Sequence, residues 1–516
     1  MPTQDQFRKT IEEGYTFEAP SFVLGGAMLG EETLTGSLVR IPLGTLNRHG
    51  LIAGATGTGK TKTLQIIAEQ LSKEGVPSLL MDIKGDLSGI AVASSGHPKI
   101  DERHEAIGIP FTAGASPVEL LTLSDEPGAR LRATVVEFGP VLFSKMLNLN
   151  DTQSGIVAIA FKYAEENALP LLDLKDFRKI LQWITGDGKK EIESDYGRIS
   201  TASTGAIMRR IVELETQGAE HFFGETSFDV EDLTRLDELG RGMVSILRLT
   251  DVQDKPKLFS TFMLQLLAEV YATFPEEGDM DRPKLVIFID EAHLVFEEAT
   301  DALLDQLESI IKLIRSKGVG LFFVTQNPAD IPSDILGQLG LKIQHALRAF
   351  TAKDRKAIKL ASENYPLTEF YDIDQTLTEL GTGEAFVTVL DRKGRPTPLV
   401  RTMLRAPESR MDILTTSEIK DIVNHSPLVR KYNREIDRDS AYEMLKKKME
   451  AAAKAEHKAE MGKQQEKARG TSTRRRRAEK STLEKIMSNT TTRQIGRTIA
   501  RELARGLLGV LGIKKR

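Results

Sequence analysis

The sequence predicts an α/β fold with a mostly parallel central sheet, an inserted helical lobe and a helical, basic C-terminal tail. Three observations carry this. Apolar runs of strand length alternate with helix-length stretches of 3.6-residue periodicity. The alternation stops between residues 139 and 235, where the periodicity is helical. After about residue 435 the composition turns to Ala, Lys, Glu and Arg.

Residues 1–45 open on a polar segment of mixed charge without an apolar leader, so no secretory signal is expected. No apolar stretch approaches the ~20 residues that span a bilayer. A cytoplasmic protein is the expectation. "SFVLGG" and "GSLVRIPLG" read as strands of a small β element, and "GLIAG" as the first core strand. Next comes a helix with Leu64, Ile67, Ala68 and Leu71 along one face, stopped by Gly75, and then the buried-type strand "VPSLLMDI". Strand, glycine-rich turn, helix, strand makes a βαβ unit, which implies parallel pairing.

Residues 46–138 are thus the first part of the core and 139–235 the helical lobe. The single tryptophan, Trp183, falls in the lobe as a core residue. Residues 236–405 resume the core. They hold the strands "GMVSILRL", "KLVIFID" and "VGLFFVTQ", two intervening helices, and a hairpin turning at "RKGR". Residues 406–440 connect to the tail, 441–516.

The chain has 516 residues, 40% of them hydrophobic, enough for a large core. It has no cysteine. That excludes disulfides, thiolate metal sites and a cysteine nucleophile. Net charge is −4, but residues 441–516 hold 21 Lys and Arg against 8 Asp and Glu. The tail is therefore +13 and the remainder −17. A basic tail suits an anionic partner, nucleic acid or membrane, or simply a solvated segment.

Gly54, Ala55, Thr56, Gly57, Thr58, Gly59, Lys60 and Thr61 spell "GATGTGKT", a full G-x-x-x-x-G-K-[ST]. Gly57 and Gly59 let the backbone curl so that its N–H groups face phosphate oxygens. Lys60 adds a point charge, and the Thr61 hydroxyl suits Mg²⁺. Lys62 lies one residue on and is grouped with the nucleotide contacts. ATP and Mg²⁺ are the expected ligands.

Hydrolysis also needs a carboxylate for the metal and one for water. "LVIFIDE" ends a strand on Asp290, suited to Mg²⁺, and Glu291, suited to water. The letters D-E-A-H also label a group of helicases, but His293 reads as a packing or surface histidine. The next strand ends in "TQNP" where those helicases typically carry a Ser-Ala-Thr motif. Gln326 at that strand tip resembles the γ-phosphate sensor of RecA-like motors; the plainer reading is a turn-capping amide. Arg315 closes the preceding helix, either complementing its dipole or reaching a neighbour's phosphate as an arginine finger.

"NRHGLIAGATGTGKT", "LLMDIKGDL", "KLVIFIDEAHLVF", "IRSKGVGLFFVTQNPADIP" and "LKIQHALRAFTAKDRKAI" together resemble the HerA/FtsK class of P-loop ATPases, most of all the YjgR-type HerA-like proteins. The resemblance covers residues 20–405. It implies a RecA-like P-loop NTPase fold and a hexameric ring that hydrolyses ATP and moves on double-stranded DNA. By position, Lys60, Thr61, Asp290 and Glu291 take the roles above, Gln326 senses the γ-phosphate, and Arg315 is the finger. Arg48 matches a basic residue near the nucleotide, and Asp82 a further acidic position. Arg348, in the "HALRAF" strand, receives no role. The family's HerA members carry a domain-sized N-terminal β-barrel, for which residues 1–45 are too short.

In the tail, Arg493, Arg497, Arg501 and Arg505 recur every four residues. So do Ile495, Ile499, Leu503, Leu507 and Leu511, offset by two. An offset of two is about 200° on a helix, so the two series face opposite ways. Such a helix suits an anionic membrane surface, a protein groove or phosphates, with residues 481–516 as the contact. The arginine run at 474–477 suits nonspecific DNA contact. Three cargoes stay open on sequence: DNA, a protein, or a membrane-tethered scaffold role.

Overall fold

The computed structural model describes residues 3–454, except 252–254, 279, 297–300, 350, 435, 437–438 and 452. Among these residues twelve strands form one sheet. They are β1 (Ser21–Leu29), β2 (Glu32–Pro42), β3 (Gly50–Ala53), β4 (Ser78–Asp82), β5 (Val118–Thr122), β6 (Ala129–Arg130), β7 (Val244–Arg248), β8 (Leu285–Ile289), β9 (Val319–Thr325), β10 (Leu341–Gln344), β11 (Glu384–Thr388) and β12 (Val400–Leu404). Their spatial order is β2-β1-β12-β11-β10-β3-β9-β8-β4-β7-β5-β6.

From β10 to β6 every neighbouring pair is parallel. The other four strands add antiparallel pairs. Every residue of β3, β4, β8 and β9 is buried. That is the reason "LVIFI" and "VGLFFVT" are unbroken apolar runs rather than alternating ones: both faces of a parallel strand are covered.

Three features differ from the sequence expectation. The N-terminal strands are not a separate element: β1 pairs with β12, Gly26 opposite Met403, and extends the same sheet. Strands β5 and β6 had no counterpart in the sequence pattern. Arg348 lies beyond β10, which ends at Gln344, and not within a strand.

The chain divides into two compact units. The first holds residues 1–131 and 228–434, and with them the whole sheet. The second holds residues 132–227 and the described residues between 436 and 454. Its helices include Val135–Met146, Asp151–Glu166, Leu174–Thr185, Lys189–Asp195 and Thr201–Thr216. Trp183 is buried there and donates to the Tyr163 hydroxyl at 2.8 Å. Phe143 meets Phe177 edge-on at 4.7 Å. The described start of the tail belongs to this unit: the Tyr442 N–H donates to Asp176 Oδ1 at 2.7 Å, and the Lys448 ammonium lies 4.5 Å from the Trp183 ring. The basic series at 493–511 and the run at 474–477 lie outside the described residues. No helix among the described residues is long and apolar enough to cross a membrane.

Two consequences position the site. β3, β9, β8 and β4 are consecutive and parallel, so their carboxyl ends share one edge. Strands lie about 4.8 Å apart, which sets the ends of β3 and β8 about 10 Å from each other. Phe322 of β9 is fully buried and packs against Phe288 of β8 in a tilted pair with ring centroids 5.1 Å apart. Phe322→Ala should therefore lower the unfolding free energy by about 3–5 kcal/mol, read as a reduced urea midpoint with unchanged slope.

Candidate functional site at the carboxyl edge of the sheet

The glycine-rich loop leaves β3 at Gly54 and enters the helix Lys60–Lys73. A Cβ on Gly54 would fall 2.5 Å from the Cβ of His345, so no side chain fits. Gly59 has φ of +112°, left-handed backbone that turns the loop into the helix. Lys60 is 7% exposed, and its ammonium donates to the Ala55 carbonyl at 3.1 Å. The Thr58 hydroxyl donates to the same oxygen at 2.7 Å. Thr56 and Gly57 form the exposed lip, and Thr61 is half-buried in the first helical turn.

Residues that no motif marked hold the loop from behind. The Ala55 N–H donates to the Ala346 carbonyl at 2.8 Å. His345, fully buried, pairs Nε2 with the Thr63 hydroxyl at 2.9 Å. Burial, then the Lys60 charge, push its pKa down to about 3, so the ring stays neutral. The Gly383 N–H donates to the Thr58 carbonyl at 3.0 Å. Arg103 fastens that turn by donating to the carbonyls of Thr382, Gly383 and Leu404 at 3.2, 3.1 and 3.0 Å. The signal in sequence was faint: one histidine and one arginine, far from the loop in the chain.

Asp290 and Glu291 follow β8 directly and are 4% and 5% exposed. Glu291 has φ of +47°, a strained conformation for a residue with a side chain. Asp290 Oδ2 is buried with no hydrogen-bond partner among the described residues. Burial, then the neighbouring Glu291 charge, raise the Asp290 pKa to about 7. The Lys84 ammonium sits against Glu291 Oε1, and His293 Nδ1 lies 3.3 Å from Oε2. His293 therefore touches the acidic pair. Gln326, exposed just past β9, accepts from the Thr56 hydroxyl at 3.4 Å and so adjoins the loop. Thr325 donates to Asp330 at 2.5 Å, which closes the turn beneath it.

Four expected residues sit elsewhere or act indirectly. The Asp82 carboxylate is engaged by the N–H groups of Gly85, Asp86 and Leu87 at 2.8, 3.1 and 3.2 Å. It therefore organises the loop that presents Lys84. Lys62 donates to the Met411 carbonyl at 2.7 Å and to Gln65 at 3.2 Å. Two helical residues subtend about 200°, so Lys62 faces away from Lys60. Arg48 precedes β3 at the amino edge of the sheet, with its guanidinium against the hairpin turn at Gly394. Arg315 precedes β9 at the same amino edge. Arg348 donates to the Thr378 carbonyl at 3.4 Å.

The arrangement fits a magnesium nucleotide. Gly54 and Gly59 let the loop lie against His345 and the Gly383 turn, where a Cβ would clash or crowd, and the helix start adds a partial positive charge. Asp290 and Thr61 are oxygen donors of the type Mg²⁺ takes alongside substrate phosphates. No group of three or more His, Asp or Glu able to hold a metal exists among the described residues.

A glycine-rich loop feeding a helix, beside a strand-end acidic pair on a parallel sheet, defines the class of P-loop nucleotide hydrolases. The chain belongs to the helicase HerA-like C-terminal family, whose model matches residues 28–516, and it is a P-loop ATPase of that family. It is 26% identical over 390 residues to the DNA double-strand break repair helicase HerA of Sulfurisphaera tokodaii, covering 73% of this chain and 69% of that protein. The HerA helicase of Sulfolobus acidocaldarius is 22% identical over 375 residues, covering 71% and 67%. Among solved structures, unbound bacterial conjugative coupling protein TrwBdeltaN70 superposes with a TM-score of 0.51 at 15% identity, over 79% of this chain and 94% of that one. TrwB in complex with ADP and Mg²⁺ gives 0.50 at 15% identity, over 77% and 98%. At that identity the likeness is one of fold.

The raised Asp290 pKa has a stability consequence. Below its unfolded value of 3.8 the group is protonated in both states and costs nothing. As pH rises through about 7 the folded protein must ionise it, and stability is lost. Asp290→Asn should therefore raise the melting temperature at pH 8 in the absence of nucleotide, with a gain that shrinks steadily as pH falls towards 5. Calorimetry across that range checks it.

Proposed function

We propose that the chain is a Mg²⁺-dependent ATP-driven motor that works as a homo-oligomeric ring on double-stranded DNA. The observation that carries this is the row of groups on one sheet edge: the loop after β3, Gln326 after β9, and Asp290 and Glu291 after β8. The loop amides and Lys60 would bind the phosphates, with Lys60 exchanging the Ala55 carbonyl for phosphate oxygen. Mg²⁺, when bound, would supply charge neutralisation on those oxygens, held by Thr61 and Asp290. Glu291 would orient water and accept its proton. Gln326, touching the loop lip through Thr56, would report the γ-phosphate.

As a phosphate contact, Arg315 fits only a neighbour's site. β9 spans seven residues, Val319 to Thr325, so its ends are about 20 Å apart. An arginine at the amino edge does not reach phosphates at the carboxyl edge of its own sheet. The same holds for Arg48. A ring that sets one subunit's amino edge against the next one's carboxyl edge would make Arg315 a trans finger and place Arg48 beside it. The hexameric state follows the resemblance. DNA as the track follows the named activity of the HerA relatives.

A protein cargo is the second reading, favoured by the −17 balance of residues 1–440, since a DNA channel needs positive charge. Duplex DNA should stimulate ATPase at ~50 mM salt, and the effect should fade by ~200 mM. No stimulation and no salt-dependent binding would remove DNA. Within either reading, Glu291→Gln should cut turnover by about 10²–10⁴-fold while keeping wild-type affinity for a fluorescent ATP analogue. Normal turnover in that variant would remove Glu291 from its role.

A further inference from the structure

Lys84 stands two residues beyond Asp82, on the loop that the Asp82 carboxylate clamps through three backbone N–H groups. That clamp fixes the backbone and leaves a four-carbon arm to move. The arm's ammonium rests on Glu291 Oε1. Lys60, at the start of the helix after the glycine-rich loop, donates to Ala55 instead. The Lys84 side chain is 37% exposed while that of Glu291 is 7% exposed, so the ammonium has a path into solvent and the carboxylate does not. Beside them Asp290 Oδ2 is buried and has no hydrogen-bond partner among the described residues.

We propose that Lys84 is a tethered counter-cation, which occupies the acidic pair until Mg²⁺ arrives with a nucleotide and so couples cation uptake to nucleotide binding. This rests on reading Asp290 as the cation group and Glu291 as the water group. Two adjacent buried carboxylates need compensating charge, and a lysine supplies one unit without strict geometry. A divalent cation approaching alone meets that ammonium and is repelled. A polyphosphate approaching with its cation offers the ammonium a new anionic partner, and the arm can swing to it. Lys84 acts through Glu291 and Asp290 and is a positioning residue.

The test is Mn²⁺ binding to the full-length protein without nucleotide, followed by electron paramagnetic resonance. Lys84→Met should bind Mn²⁺ at least about tenfold more tightly than wild type. Lys84→Arg, which keeps the charge, should stay near wild type. Adding ADP should narrow the gap between Lys84→Met and wild type. Circular dichroism melts confirm folding, and Lys84→Gln provides a second uncharged variant. Equal Mn²⁺ affinity in wild type and both uncharged variants overturns the proposal, even if wild type hydrolyses ATP. If wild type proves inactive but the uncharged variants gain Mn²⁺, the ATPase reading fails and the counter-cation stands.

Discussion

Burying two carboxylates side by side, at Asp290 and Glu291, is the constraint on which the rest of this edge depends. Neither is stable as an anion in such a place without positive charge nearby. The Asp290 pKa, raised to about 7 by burial and by its neighbour, expresses that cost. The fold answers with Lys84, delivered by a loop that Asp82 holds rigid, and with the glycine-rich loop two strands away. Glu291 carries backbone strain as well, at φ of +47°. Strain at Glu291 and a buried Asp290 Oδ2 with no partner among the described residues together mark a position shaped for chemistry rather than stability.

The parallel sheet then decides what a single subunit can do. It collects the loop, Gln326 and the acidic pair on its carboxyl edge, and sets Arg48 and Arg315 on its amino edge. In the proposed motor, phosphate binding, cation binding and water activation would fall within one subunit, and any arginine contribution from those two positions would fall between subunits. The glycine-rich loop is also tied from below, through His345 and through the turn that Arg103 fastens. Movements of β10 to β12 are thereby linked to the phosphate-binding backbone.

Much of this was legible in sequence where the signal was local. The loop, its helix and the acidic strand end are contiguous strings whose residue types follow from phosphate and cation chemistry. The misplacements share a cause: sequence offsets do not tell which way a side chain points. Lys62 follows Lys60 by two residues but faces away on the helix. Asp82 ends the right strand, yet its carboxylate folds back on its own loop. Arg48 is close to the loop in the chain and lies at the far end of β3. Lys84, His345 and Arg103 escaped notice because each gains its role from a partner distant in sequence. The strand β6, of two residues, is too short to show periodicity, and the apolar run of β5 is broken by Glu119, which is buried there.

Arg315 and Lys60 lie on opposite edges, so the account requires each complete site to be built from two subunits. Mixing two inactive variants tests this directly. Lys60→Ala disables the phosphate loop, and Arg315→Ala disables the trans contribution. Randomly mixed in equal amounts within a ring, they should recover about a quarter of wild-type ATP turnover, because one site in four pairs an intact loop with an intact arginine. No recovery at any mixing ratio, with each variant folded and assembled, would contradict the shared site.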